Sequence, residues 1–286
     1  MAPDLNGAEA GQARALVTVF DEGDAEGIRT LSVQYDLEVL PFPIQETLQE
    51  ILDCVRLASQ AGQEVGEAAV TGDGAWFHLN PATNRRLEGE ELAIRTRAWI
   101  MRAAFRDAME TAHAALESAR LVLAVQSLSK SVSGHEFNQA VHDEAEKFHT
   151  LPLGRKLETL AERYDFHIDA FWQGTLTRLN AARNCIVHRA GYVSPRDTQG
   201  AEYLEAAWQG LRLVVGKPPT QRTLVAGDVI QGGEVLRVQR GPVQRHYPLG
   251  SRIELDMQDL NEICMTLELF AQHLRQNLAT LSTKQS

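Results

Sequence analysis

The chain has 286 residues, 44% hydrophobic and 23% charged, which is enough for a sizeable hydrophobic core and is unlike a disordered or fibrous sequence. Its net charge of −10 argues against broad electrostatic binding of duplex nucleic acid, but the charge is unevenly spread. Residues 1–90 carry 16 acidic and 5 basic side chains (−11), residues 91–198 carry 13 and 14 (+1), and residues 199–286 carry 9 and 9 (0).

The three cysteines, Cys54, Cys185 and Cys264, are widely separated and form no CxxC, which excludes a disulfide framework or a structural zinc site. No apolar run approaches the roughly 18 residues of a membrane span. The first residues show neither the basic nor the apolar segment of a secretory signal. The expectation is a cytoplasmic chain in a reducing setting, with no membrane partner.

Residues 1–12 are small and polar, and read as disordered. The acidic region up to residue 90 reads as mixed. A helix is expected over 43–59, with Pro43 near its start and Ile44, Leu48, Ile51 and Val55 on one face. A short strand, AWFHL at 75–79, lies between GDG and NPATN turns. The strongest helix runs from about 89 to 125, where Ile94, Ala98, Met101, Phe105, Ala108, Ala112, Leu116 and Ala119 build a stripe. SVSGHE at 131–136 breaks the pattern. Helices follow to about His149, over 156–164, and from about Ile168 towards His188, with Gly191 stopping the last.

The texture then changes. Glycines and prolines punctuate short β-branched runs over 211–255, which predicts a small antiparallel hairpin or meander. A final helix returns, striped by Leu260, Ile263, Leu267, Phe270, Leu274, Leu278 and Leu281 and capped by Asp256 or Asp259. The expected fold is mainly α (α+β). It is an antiparallel helical bundle over 91–286 with a β insertion at about 207–255, preceded by the mixed acidic region 1–90.

One stretch carries chemistry. RNCIVH, residues 183–188, ends an amphipathic helix and precedes a turn, and it resembles the motif of HEPN domains (higher eukaryote and prokaryote nucleotide-binding). Ribonucleases of that family carry an arginine, a polar residue, a few spacers and a histidine; Arg183, Asn184 and His188 match each in turn. The resemblance covers roughly 91–198 and the last helix, and does not extend to residues 1–90. It implies a helical bundle, a metal-independent endoribonuclease without cofactor, and two motifs paired across a homodimer. It also implies a toxin or phage-defence role.

The residue types suit RNA. An imidazole that titrates near neutrality can move the proton of the 2′-hydroxyl or of the leaving 5′-oxygen. A guanidinium can hold the developing phosphorane charge with two parallel hydrogen bonds, and an amide can position it. Arg178, Arg189 and Arg196 surround the motif as candidate substrate-binding cations. On an ideal helix residues five apart differ by about 140°, so Arg183 and His188 do not share a face. Convergence then needs a distortion, the reach of the arginine or a second copy. A plain helix terminus would also place His188 and Arg189 where the helix dipole favours cations.

Rival patterns are weaker. Arg240 with His246 lies in the expected β region, and Arg106 with His113 lies mid-helix. Glu110/His113 and Glu146/His149 form two E-x-x-H pairs, but the segment between them leaves no room for the glutamate helix of a di-iron bundle. They read as a wet polar face, as does the heptad series His135, His142 and His149, and no metal is expected. No P-loop, GxGxxG after a strand or GxSxG is present. The alternative to an enzyme is a non-catalytic HEPN-like module that binds nucleotide or a protein partner, for which residues 1–90 are the candidate regulatory surface.

Overall fold

The structure is a computed structural model that describes residues 17–23, 29–64, 89–128, 137, 139–217, 219, 221–224 and 228–285. The expected strand at 75–79, residues 1–12 and the break at 131–136 lie outside these residues.

A hairpin of β1 (Val17–Gly23) and β2 (Arg29–Tyr35) opens the described chain, paired antiparallel from Val17 opposite Tyr35 to Gly23 opposite Arg29. This hairpin is not among the expected elements, although Leu31, Val33 and Tyr35 alternate with Ser32 and Gln34 along β2. Helix α1 (Phe42–Glu64) buries Ile44, Leu48 and Val55. Helix α2 (Gly89–Ser127) buries Met101, Phe105, Ala108, Ala112, Leu116 and Ala119 at three- and four-residue steps. Its first turns differ from expectation: Ile94 is 61% exposed and Ala98 only half-buried. Periodicity sets which face would be buried, but burial needs a neighbour.

A π-helical turn, Gln139–Asp143, leads into α3 (Glu144–His149). Helix α4 (Leu153–Tyr164) starts directly after Pro152, three residues before the sequence suggested. Helix α5 is Ala170–Arg189 and the short α6 is Pro195–Thr198. Strands β3 (Tyr203–Val215), β4 (Arg222–Thr223) and β5 (Leu236–Pro248) form one antiparallel sheet in the order β4-β3-β5, and α7 (Met257–Gln285) closes the described chain. The chain is therefore mainly helical with a small antiparallel sheet before its last helix.

The sheet begins and ends earlier than the expected 207–255. Leu204, Ala206, Ala207 and Trp208 are all buried, so this part of β3 has no inside–outside alternation to announce a strand. The sheet is fixed to α7 by polar bonds in the core. Glu262, which is buried, accepts from the Trp208 indole Nε1 at 3.0 Å and from the Leu211 backbone N–H at 3.4 Å, and Thr266 Oγ1 accepts from the Gln209 N–H at 3.0 Å. At Gly210 a Cβ would stand 2.4 Å from Val243 Cγ2, so only glycine fits there. Asp256 caps α7 by accepting from the Asp259 N–H at 2.8 Å.

The described residues fall into two compact units. One draws its described residues from within 1–45, 113–167 and 271–286, and the other from within 46–112 and 168–270. In the first, the buried Lys156 donates to Glu117 at 2.6 Å, and His149 Nδ1 lies 3.0 Å from the same carboxylate. The second contains the whole of RNCIVH and its surroundings.

Candidate active site

Helix α5 presents the motif. Asp169 caps its start by accepting from the Trp172 N–H at 3.0 Å, and Trp172, Leu176, Leu179, Ala182, Cys185 and Ile186 bury its inner face. The helix stops at Ala190, whose left-handed φ of 53° comes one residue earlier than the expected stop, and Gly191 follows with φ 83° and donates its N–H to Cys185 O at 3.2 Å. Residues 191–193 then pair with 250–253. Val193 donates to Ser251 O at 2.9 Å, Gly250 to Val193 O at 2.9 Å and Ile253 to Gly191 O at 2.8 Å. The exit from the motif is thus a fixed backbone.

Arg183 is 24% exposed and held from two sides. Its Nη2 donates to Glu110 Oε1 at 2.6 Å and its Nη1 to Asn184 Oδ1 at 3.2 Å. Its Nε is buried and has no hydrogen-bond partner among the described residues. Asn184 therefore orients the guanidinium. Glu110, which sequence reading grouped with His113 as part of a polar face, is the carboxylate on Arg183, and it is 53% exposed. His188 is exposed on the last turn and lines an open depression with Arg189, Ser194, Pro195 and Arg196. Arg183 and Asn184 are not among the residues that line it. The structure brings Arg183 and Asn184 together, and His188 together with Arg196, as two neighbouring groups.

The three flanking arginines fare differently. Arg189 donates Nε to Asp197 Oδ2 at 2.7 Å, and its Nη2 meets Asp197 Oδ1. Asp197 is 2% exposed and also accepts the Ser194 N–H and hydroxyl, each at 2.8 Å, which closes a capping box on α6. Burial pushes the Asp197 carboxyl up, but the Arg189 and Ser194 hydrogen bonds and the Arg189 charge outweigh it and hold its pKa below the ordinary value. Arg178 lies 3.1 Å from Glu205 Oε1, an ion pair without hydrogen-bond geometry, since that oxygen is left without a hydrogen bond. Arg196 is exposed beside His188.

Cys185 is fully buried, and burial pushes its thiol up to about 11, so it stays protonated at neutral pH and is no nucleophile. Among the described residues no three His, Cys, Asp or Glu side chains are grouped as ligands for a metal ion.

Sequence reading missed Asp197, Arg102 and Arg252. The last two come from α2 and from the segment before α7. Their stems lie 3.5 and 3.6 Å from where a Cβ on Gly191 would stand. Arg252 donates Nε to Ala190 O at 3.1 Å, and its Cζ lies 5.1 Å from the Tyr192 ring centroid. No linear pattern joins positions so far apart in the chain.

Comparison with known proteins finds no match: no family model fits the sequence, and no curated protein or solved structure is significantly similar to it.

Proposed function

We propose that the chain is a metal-independent endoribonuclease of the HEPN kind. His188 takes the 2′-hydroxyl proton of RNA, and the freed oxygen attacks the adjacent phosphorus. Arg183, oriented by Asn184, holds the charge that builds on the phosphorane oxygens. The bond to the 5′-oxygen breaks and that oxygen takes up a proton, leaving a 2′,3′-cyclic phosphate and a 5′-hydroxyl.

The observation that carries this reading is the Arg183–Asn184 bond on a helix whose next turn presents an exposed imidazole beside Arg196. An arginine already oriented by a neighbouring amide needs less reordering when charge develops. Because Arg183 and His188 occupy neighbouring groups, we assign the complete site to a homodimer, with the second motif supplying the complementary acid and cation. The toxin or defence role follows the HEPN resemblance alone, as does a regulatory partner at residues 1–90.

A second reading is favoured by one observation: Glu110 already occupies Arg183. A HEPN-like module that binds nucleotide or a protein, without cleaving, would keep that pair closed. The discriminating experiment incubates the purified protein with RNA in EDTA. Fragments ending in cyclic phosphate are expected, and His188→Ala should lose roughly 100- to 10,000-fold in rate. Its exposed position makes this variant benign for folding. A wild-type protein that binds RNA without cutting it would establish the second reading.

A further inference from the structure

Three cations predicted to touch substrate, Arg178, Arg183 and Arg189, each face a carboxylate. Arg102 and Arg252 do not: among the described residues neither is closed in an ion pair, and Glu254 acts on Arg102 only as a weaker electrostatic influence. Both guanidinium stems, from two elements, come within van der Waals reach of Gly191, whose φ of 83° favours glycine. Burial and the like charge of Arg252 both lower the Arg102 pKa, so two cations are held together against their repulsion.

Tyr192 follows the motif in the chain and meets these cations. It forms an antiparallel bridge with Arg252, so the two side chains share one face, and the guanidinium lies over the ring. The tyrosine is nevertheless 53% exposed, which leaves ring surface open to solvent four residues beyond His188. A cation-backed aromatic face beside unneutralised guanidinia is how sequence-tolerant binding of single strands is built, because every base offers a π-face and every linkage a phosphate.

We propose that Tyr192, Arg252 and Arg102 form a single-strand RNA subsite, in which the open face of Tyr192 stacks a nucleobase and the two guanidinia grip the phosphate beside it. The subsite rests on the ribonuclease reading for its role but not for its detection. It makes an unpaired stretch next to the scissile linkage the preferred substrate, since a base locked in a duplex cannot reach the ring.

The test is fluorescence anisotropy of the full chain with a labelled, 2′-O-methylated single-stranded oligonucleotide, which cannot be cleaved. Tyr192→Ala should weaken binding roughly 5- to 100-fold, with Tyr192→Phe close to wild type, as expected for loss of one stacked base. Arg102→Gln should weaken binding and reduce the slope of log affinity against log salt by about 1. The same strand annealed to its complement should bind poorly to the wild-type protein. In RNA cleavage the Tyr192→Ala defect should appear in KM.

Unchanged oligonucleotide affinity in folded Tyr192→Ala overturns the subsite. So does a change of oligomeric state in Tyr192→Ala with oligonucleotide affinity intact, which would give this face to a second copy of the chain. Oligonucleotide binding that depends on Tyr192 in a protein that never cleaves RNA would keep the subsite and overturn the ribonuclease reading instead.

Discussion

Arg183 and Arg189 lie six residues apart on α5 and each meets a carboxylate, but the two carboxylates sit in different surroundings. Glu110, on Arg183, is half in water at 53% exposure, whereas Asp197, on Arg189, is 2% exposed and bonded to Ser194 as well. An ion pair in water gains about 0–1 kcal/mol and exchanges readily. A pair with one buried member cannot open without stranding a charge. A phosphate can therefore compete for Arg183 and not for Arg189. The difference teaches that a cation close to a motif counts as a substrate contact only once the burial of its partner is known. Arg102, Arg252 and Arg196, for which no ion pair forms among the described residues, are open to a ligand as well.

The comparison is broken most directly at the buried end. Asp197→Ala should cost about 1–3 kcal/mol, because Arg189 and Ser194 lose their shared acceptor. Urea unfolding at neutral pH measures it, and a loss under 1 kcal/mol would mean that the clasp is not structural.

At the other end the expected effect is on rate. Arg183→Lys keeps the charge but loses the planar fork, so single-turnover cleavage with saturating protein should fall roughly 100- to 1,000-fold while RNA still binds. A lysine variant at close to the wild-type rate would leave Arg183 as a helix-end cation, since a helix dipole does not distinguish the two side chains.

Acid sharpens the contrast further. Asp197 has a folded pKa below its ordinary value, so its contribution is complete above about pH 4 and disappears as the pH falls through the folded value. The stability gap between wild type and Asp197→Asn should then be widest near neutral pH and should shrink as the pH falls below about 4. A gap that stays constant with pH would assign the loss to packing and not to charge.

The smallest effect belongs to Glu110. Glu110→Gln should change stability by no more than about 1 kcal/mol, as expected for an exposed pair. A larger loss in the same urea experiment would make the Arg183 pair structural and favour the non-catalytic reading.

Much of the helical part was legible because the apolar spacing of α1, α2, α5 and α7 is long and regular, and a buried stripe of that period has few other solutions. The β segment before α7 was legible from its glycines and β-branched residues, but its first strand was read late because Leu204, Ala206, Ala207 and Trp208 are buried without regular alternation. At the site, the sequence supplied Arg183, Asn184 and His188 as a local pattern on one helix. It could not tell Arg189 from Arg183, because both are basic residues near a helix end, and the carboxylates that distinguish them come from position 197 and from α2.

What the sequence determined by itself is therefore the local: which segments are helical, where α5 ends, and which side chains of proton-transfer and phosphate chemistry stand on that end. Those follow from periodicity and from the i to i+4 geometry of a single helix. The tertiary structure decided the partners. It closed Arg189 onto a buried aspartate, left Arg183 on an exposed glutamate, and carried Arg102 and Arg252 from distant segments to Gly191. Charge partnership depends on distance and on exclusion of water, and neither is encoded in the order of residues along the chain.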